Sequence, residues 1–331
     1  MSHHFVDTNR TLHGLRLITL QNDLLRVQIL PEAGGKIWQI TYLPLCEDLL
    51  WNNDAIAPAR HPIHSSYDDL WSGGWDELFP NDEETVIGNT RFPDHGELWT
   101  GAWDYCSSAD HQSASVTLSF QTPLSGMVME KTLTIRSGSA TIHFHHTVRN
   151  ASATAFPFLW KLHPAMRVTA DHRIDFPGMQ VLREPAFPGS LAEAPPQFAW
   201  PYAKVGDNTL DLRKVSEHER QLYFFYGTQM EAGWCALTNT AKRISCGWLF
   251  DQEVFPSCWL FASYGGWLDH HVAVLEPCTG YPLDFAEMVR AGRQRVLAPG
   301  ESLSTQVLFT VQTGLRSVSS IDEHGALHGE P

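Results

Sequence analysis

Three stretches carry side chains that can move protons. FPDHGELW (residues 92–99) holds Asp94, His95, Glu97 and Trp99. FLWKLHPAM (158–166) is an apolar run carrying Lys161 and His163. VAVLEPCTGYP (272–282) brings an apolar run to Glu276, just before a proline. A carboxylate and an imidazole beside one polar substrate supply a general base and a general acid at neutral pH. Each stretch also has a plainer reading. DHGELW can be a surface turn capped by Asp94, and His163 a structural histidine where the chain leaves a sheet. Glu276 is the hardest to explain blandly, because carboxylates are rarely buried without a partner or a task.

The elements that must position these residues read as strands. Leu25, Val27 and Ile29 alternate along one face. So do Val116, Leu118 and Phe120, then Met127, Met129, Leu133 and Ile135, then Leu303, Val307, Phe309 and Val311. Polar residues fill the opposite faces, the pattern of half-buried antiparallel strands. PEAGG, RSGS, RNASA and APGES punctuate them as turns. If DHGELW is extended, His95, Glu97 and Trp99 share a face. On a strand through FLWKLHP, Lys161 and His163 share another, with Trp160 and Leu162 opposite. Helical signal is thin. DFAEMVRAG is the best candidate, with Asp284 as cap and Gly292 as stop. The expected architecture is all-β, with two large packed sheets and few short helices in one domain over 1–331. Its core runs from about 22 to 311, and the pattern fades in the tail.

Composition narrows the partners. The formal charge of −14 disfavours nucleic acid and anionic membrane surfaces. No apolar run reaches membrane-spanning length. The opening MSHHFVDTNR has no basic or apolar signal region, and the six cysteines contain no C-x-x-C pair. The expectation is reduced thiols and a cytoplasmic location. The twelve tryptophans are mostly core filling. Trp71, Trp75, Trp99, Trp103 and Trp267, however, lie in polar or Gly-rich contexts. Aromatic faces with polar neighbours suit sugars.

The ordered set PDHGELW, FLWKLHP, LEPCTGYP, supported by GGWDELFPN and FPSCWLFASYGG, resembles the aldose 1-epimerase (galactose mutarotase-like) family from about Asn22 to Val311. The resemblance extends to the family's uncharacterised aldose-epimerase branch. It implies a large antiparallel β-supersandwich and cofactor-independent interconversion of α and β sugar anomers. It places the catalytic carboxylate on Glu276 and the catalytic histidines on His163 and His95. Glu276 would take the O1 proton and His163 would protonate the ring oxygen, while His95 positions the sugar. The family's sugar-binding arginine has no clear match. Trp75, Glu77 and Asn81 occupy that region, with Arg91, Glu97, Trp99, Lys161, Trp259 and Tyr264 as further candidate sugar contacts.

No metal is expected: His143 and His145 lie about 7 Å apart on one strand face, but a third ligand is not apparent. No cofactor is expected, and the chain is read as a monomer or homodimer. Lys161 either pairs with a carboxylate such as Glu97 or Glu276, or meets an anionic group on the sugar. Two rival functions remain: a non-catalytic carbohydrate-binding protein, and a different acid–base sugar epimerase or lyase on the same fold.

Overall fold

Antiparallel pairing dominates the computed structural model, which describes residues 4–216 and 220–331. The chain folds as two compact units: Met1–Pro164 with Thr279–Gln306, and Ala165–Cys278 with Val307–Pro331.

In the first unit, Phe5–Leu12, Leu15–Gln21, Leu25–Leu30, Lys36–Tyr42 and Trp75–Leu78 follow one another as neighbours. Trp75–Leu78 then pairs with the start of Lys161–Arg167. A second series joins Asp104–Ala109, Ser113–Gln121, Met127–Arg136 and Thr141–Asn150. The alternation expected from sequence is realised: Met127, Met129, Leu133 and Ile135 are all buried. Lys131 occupies the one polar position on that face and is buried with them. Its partner is Glu77, at Nζ–Oε1 3.0 Å. Trp75, on the same face as Glu77, packs on Phe144 with ring centroids 4.9 Å apart. The inner layer of this unit is therefore apolar around one ion cluster.

In the second unit, Gln180–Arg183, Gln221–Thr228, Ser257–Tyr264 and His271–Cys278 form an antiparallel series. His172–Asp175, Trp234–Asn239, Ile244–Phe250 and the later part of Ser302–Thr313 form another. The tail carries more structure than its fading pattern suggests. Ser320–Ile321 pairs with Leu327–His328, and Val318, Ile321 and Leu327 are buried with Trp234 and Ala236. Three apolar residues so widely spaced give no readable period, yet each packs into the core.

Among the described residues there are two α-helices, Tyr67–Leu70 and Phe285–Arg290. The second has the expected ends. The Asp284 carboxylate accepts from Glu287 N at 2.8 Å, and Gly292 has φ 68°. No helix among the described residues is long and apolar enough to cross a membrane. All six cysteines are free thiols.

Candidate functional site

The strand Lys161–Arg167 places the second histidine. Its register against Trp75–Leu78 sets His163 opposite Asp76 and Lys161 opposite Leu78. Directly opposed residues point to the same face of a sheet. His163 and Asp76 therefore share one side, and Trp75 and Glu77 point to the inner layer. The expected common face for Lys161 and His163 holds, and both are buried.

The segment carrying His95 is not extended. His95 and Gly96 have φ 60° and 70°, so the chain turns there. A Cβ on Gly96 would lie 2.0 Å from Phe79 O, so only glycine fits. Main-chain bonds tie the turn down: His95 N donates to Asp82 O at 2.5 Å, and Glu97 N to Phe79 O at 2.8 Å. The turn rotates Glu97 away from His95. Its carboxylate accepts from Leu124 N at 2.8 Å and Ser125 N at 3.2 Å, bracing another loop. Burial raises the Glu97 carboxyl's pKa against the pull of those bonds.

Tyr67, in the short helix capped by Ser66, joins the two histidines. Its ring stacks on His95 with centroids 4.0 Å apart and an 8° interplanar angle. Its hydroxyl lies 3.2 Å from His163 Nδ1 and donates to Asp76 Oδ2 at 2.9 Å. Lys36 Nζ donates to the same Asp76 oxygen at 2.8 Å and to Gly73 O at 2.7 Å. The two imidazole rings are 6.0 Å apart, nearly perpendicular. Trp71 packs against His163, and Trp99 stands edge-on to Tyr67 at 5.1 Å. Beside this cluster is a small cleft lined by Lys36, His61, Tyr67, Trp71, Ser72 and Trp99.

Electrostatics treats the two histidines differently. Burial, with Lys161, His95 and Lys36 nearby, holds His163 well below its ordinary value of 6.5. The His95 side chain keeps 15% of its surface exposed, and partial enclosure still works against charge there. It is outweighed by the adjacent Asp94 carboxylate and the negative charge of Asp82, and the net shift is upward. His95 Nδ1 lies 2.9 Å from Asp94 Oδ1. The expected imidazolium at His163 thus meets a site that favours a neutral ring there and a charged ring at His95. Lys161 forms a buried ion pair with Asp82. Burial would raise the Asp82 carboxyl, but the charges of Lys161 and His95 hold it below its ordinary value.

The other candidate contacts are placed as follows. Glu77 is enclosed by Lys131, by His146 Nε2 at 3.3 Å and by Trp160 Nε1 at 3.1 Å. Asn81 donates to Glu83 O and Pro93 O, both at 2.8 Å, and shapes its own loop. Arg91 is exposed and pairs with Glu84. Trp99 lines the cleft. In the second unit, Glu276 is buried opposite Trp259, which packs edge-on to Tyr226 at 4.6 Å. Tyr264 is buried against Tyr223, and burial pushes its phenol upward. Among the described residues, Asp68, Asp94 and His95 bring ligand-type atoms within 4.8 Å of one another and are the group that could hold a metal ion.

Sequence reasoning missed Tyr67, Asp76, Asp82 and Lys36. SSYDDLW reads as a polar surface turn, and Asp76 hides between the more conspicuous Trp75 and Glu77. The one available signal was alternation. If Trp75 and Glu77 face inward, Asp76 must face the other way.

The site sets two histidines in unlike electrostatic surroundings among aromatic rings, His163 on a strand and His95 on a turn, within an antiparallel β fold. The particular fold is galactose mutarotase-like. A galactose mutarotase-like protein from Clostridium acetobutylicum superposes with TM-score 0.68 at 12% identity, over 94% of this chain and 99% of that one. A candidate aldose 1-epimerase from Klebsiella pneumoniae gives TM-score 0.71 at 12% identity, over 93% and 83%. A galactose mutarotase related enzyme from Lactobacillus acidophilus gives 0.62 at 12%, over 90% and 97%. No protein-family model matches the chain.

Proposed function

We propose that this protein is an isomerase of the aldose 1-epimerase type, interconverting the α and β anomers of a sugar by acid–base ring opening. One observation carries the proposal: two histidines, ring centroids 6.0 Å apart, sit in surroundings that favour opposite protonation states. Mutarotation needs that combination. A base removes the proton from O1–H as the bond from C1 to the ring oxygen breaks. An acid delivers a proton to the ring oxygen. The open aldehyde rotates about C1–C2, and closure on the other carbonyl face returns both protons. Neutral His163 is the acceptor in this reading and protonated His95 the donor. Each transfer contributes roughly 10²–10⁴-fold. Trp71 and Trp99 line the small cleft, and aromatic rings are the residue type that suits the apolar side of a sugar. Lys36 and Lys161 already face Asp76 and Asp82, which supports a neutral sugar over an anionic one.

The pH dependence of kcat/KM tests this reading. His163 must be unprotonated, so activity rises as pH climbs through its depressed pKa, well below 6.5. His95 must be protonated, so activity falls above its raised pKa, on the alkaline side of 6.5. The groups setting these limbs are Lys36, Lys161 and His95 around His163, and Asp94, Asp82 and Lys161 around His95. The profile is expected to peak between the two limbs. Activity that instead falls as pH rises through a pKa below 6.5 would show that His163 works as the charged partner.

A further inference from the structure

We propose that His61 is a specificity-determining residue, carried over the cleft on an arm of residues 53–66 to hydrogen-bond the hydroxyl groups of a neutral sugar. The proposal rests on the sugar reading above and names a residue that selects the ligand.

The arm contains no strand or helix. Its ends are fixed. Asn53 N donates to Ser72 O at 3.0 Å and Asn53 Nδ2 to Trp71 O at 3.2 Å, and Ser66 caps the helix Tyr67–Leu70. Between the ends, Arg60 pairs with Glu32 at the surface, while Ile56 N and Ser65 N close local turns onto Asn53 O and Pro62 O. Pro58 and Pro62 bracket residues 59–61 and stiffen them. Ala59 and His61 line the cleft from the arm, and Lys36, Ser72 and Trp99 line it from elsewhere in the same unit. The cleft as it stands is smaller than a sugar ring. A wall held by a surface ion pair and local turns gives way more readily than paired strands do. A sugar therefore enters as the arm lifts, and His61 closes back onto it.

The groups in the cleft define the ligand class. His61 is half-buried, with its ring centroid 5.7 Å from that of Trp99. Among the described residues neither of its ring nitrogens has a hydrogen-bond partner. Burial and the nearby Lys36 charge lower its pKa below 6.5, so at neutral pH the ring is uncharged and offers one donor and one acceptor. A sugar hydroxyl is both donor and acceptor, and so complements either nitrogen. Trp99, 6% exposed, adds a buried Nε1–H with no hydrogen-bond partner among the described residues. Lys36 adds no unmet charge. Its ammonium reaches Ser72 Oγ at 3.3 Å, Gly73 O at 2.7 Å and Asp76 Oδ2 at 2.8 Å, three acceptors for three protons. Unmet neutral donors and an acceptor suit hydroxyl groups rather than a carboxylate or phosphate.

The test follows the His61 ring by proton–carbon NMR while the wild-type protein is titrated with glucose, galactose and xylose, and in parallel with glucuronate and galacturonate. At least one neutral sugar is expected to shift the His61 resonance and to bind more tightly than the acids. Its Kd should rise roughly 10-fold in His61→Ala, where two hydrogen bonds are lost. The rise should be smaller in His61→Gln, which keeps a donor and an acceptor. No shift at His61 with any of these sugars would overturn the proposal. So would an unchanged Kd in His61→Ala, or tighter binding of the acids. The wild-type titration decides even if a variant folds poorly. Binding is read without turnover, so the two readings fail separately. A sugar that binds through His61 but is not interconverted keeps this proposal and removes the mutarotase reading. Catalysed exchange with kcat/KM unchanged in His61→Ala does the reverse.

Discussion

Replacing His163 with asparagine is expected to lower kcat for anomer interconversion by roughly 10²–10⁴-fold, the range for loss of one general acid–base group. The side-chain amide can still donate to the Tyr67 oxygen, so the hydrogen-bond chain to Asp76 keeps a partner at that end. What disappears is the titratable nitrogen pair. Circular dichroism and a thermal melt should show a folded protein, placing the loss in chemistry. His163 is 5% exposed, so some loss of stability accompanies the smaller side chain, but not unfolding at room temperature. A rate within threefold of wild type would remove His163 from the mechanism. Glu276→Gln belongs in the same assay, because the family resemblance gives that carboxylate the O1 proton. A loss at Glu276 with none at His163 would assign the base to Glu276.

The second large effect concerns stability. Lys131→Met is expected to cost about 3–5 kcal/mol, the range for breaking a buried ion pair from one side. The Lys131 and Glu77 side chains are 2% and 4% exposed. Removing the ammonium leaves the Glu77 carboxylate with His146 and Trp160 as its donors among the described residues. Burial alone would raise the Glu77 carboxyl, but Lys131 and His146 hold it far below the usual carboxylate range. A carboxyl depressed in the folded state stabilises fully above its ordinary value of 4.5, and that contribution is lost as pH falls below it. Wild-type stability should therefore decline on acidification below about 4.5, and Lys131→Met should lose most of that dependence. Urea denaturation at several pH values measures both. A neutral effect of Lys131→Met on stability, with a raised KM for sugar, would instead return Glu77 to the binding site. Arg91→Ala is a useful contrast. Arg91 is exposed and pairs with an exposed Glu84, where ion pairs contribute little.

Much of the fold was legible because the sequence repeats a local rule. Alternation along Met127–Arg136 and Leu25–Leu30 announced antiparallel strands, and Asp284 with Gly292 marked a helix at both ends. The two site histidines were legible as residue types in suggestive places. Their protonation states were not, because those depend on Asp94, Asp82, Lys161 and Lys36, spread over more than a hundred residues of chain. The turn at His95 defeated the period-2 reading of DHGELW. Two consecutive left-handed residues reorient Glu97, and the non-glycine one of the pair gives no sequence sign of it. Asp76 and Glu77 are neighbours with opposite fates, one toward Tyr67 and Lys36 and one toward Lys131 and His146. A four-residue strand shows that its side chains alternate, but not which face is inward. Lys161 was expected to meet either a protein carboxylate or a ligand anion. Asp82 fills the first role, although sequence distance pointed to other partners.

The most direct measurement is exchange NMR between the α and β anomers of freshly dissolved aldoses, with and without the wild-type protein. Catalysed exchange well above the buffer rate for at least one sugar, lost in His163→Asn, is the expected result. Sugar binding with no acceleration for any member of a broad panel would contradict the assignment and leave a carbohydrate-binding protein on a mutarotase-like fold.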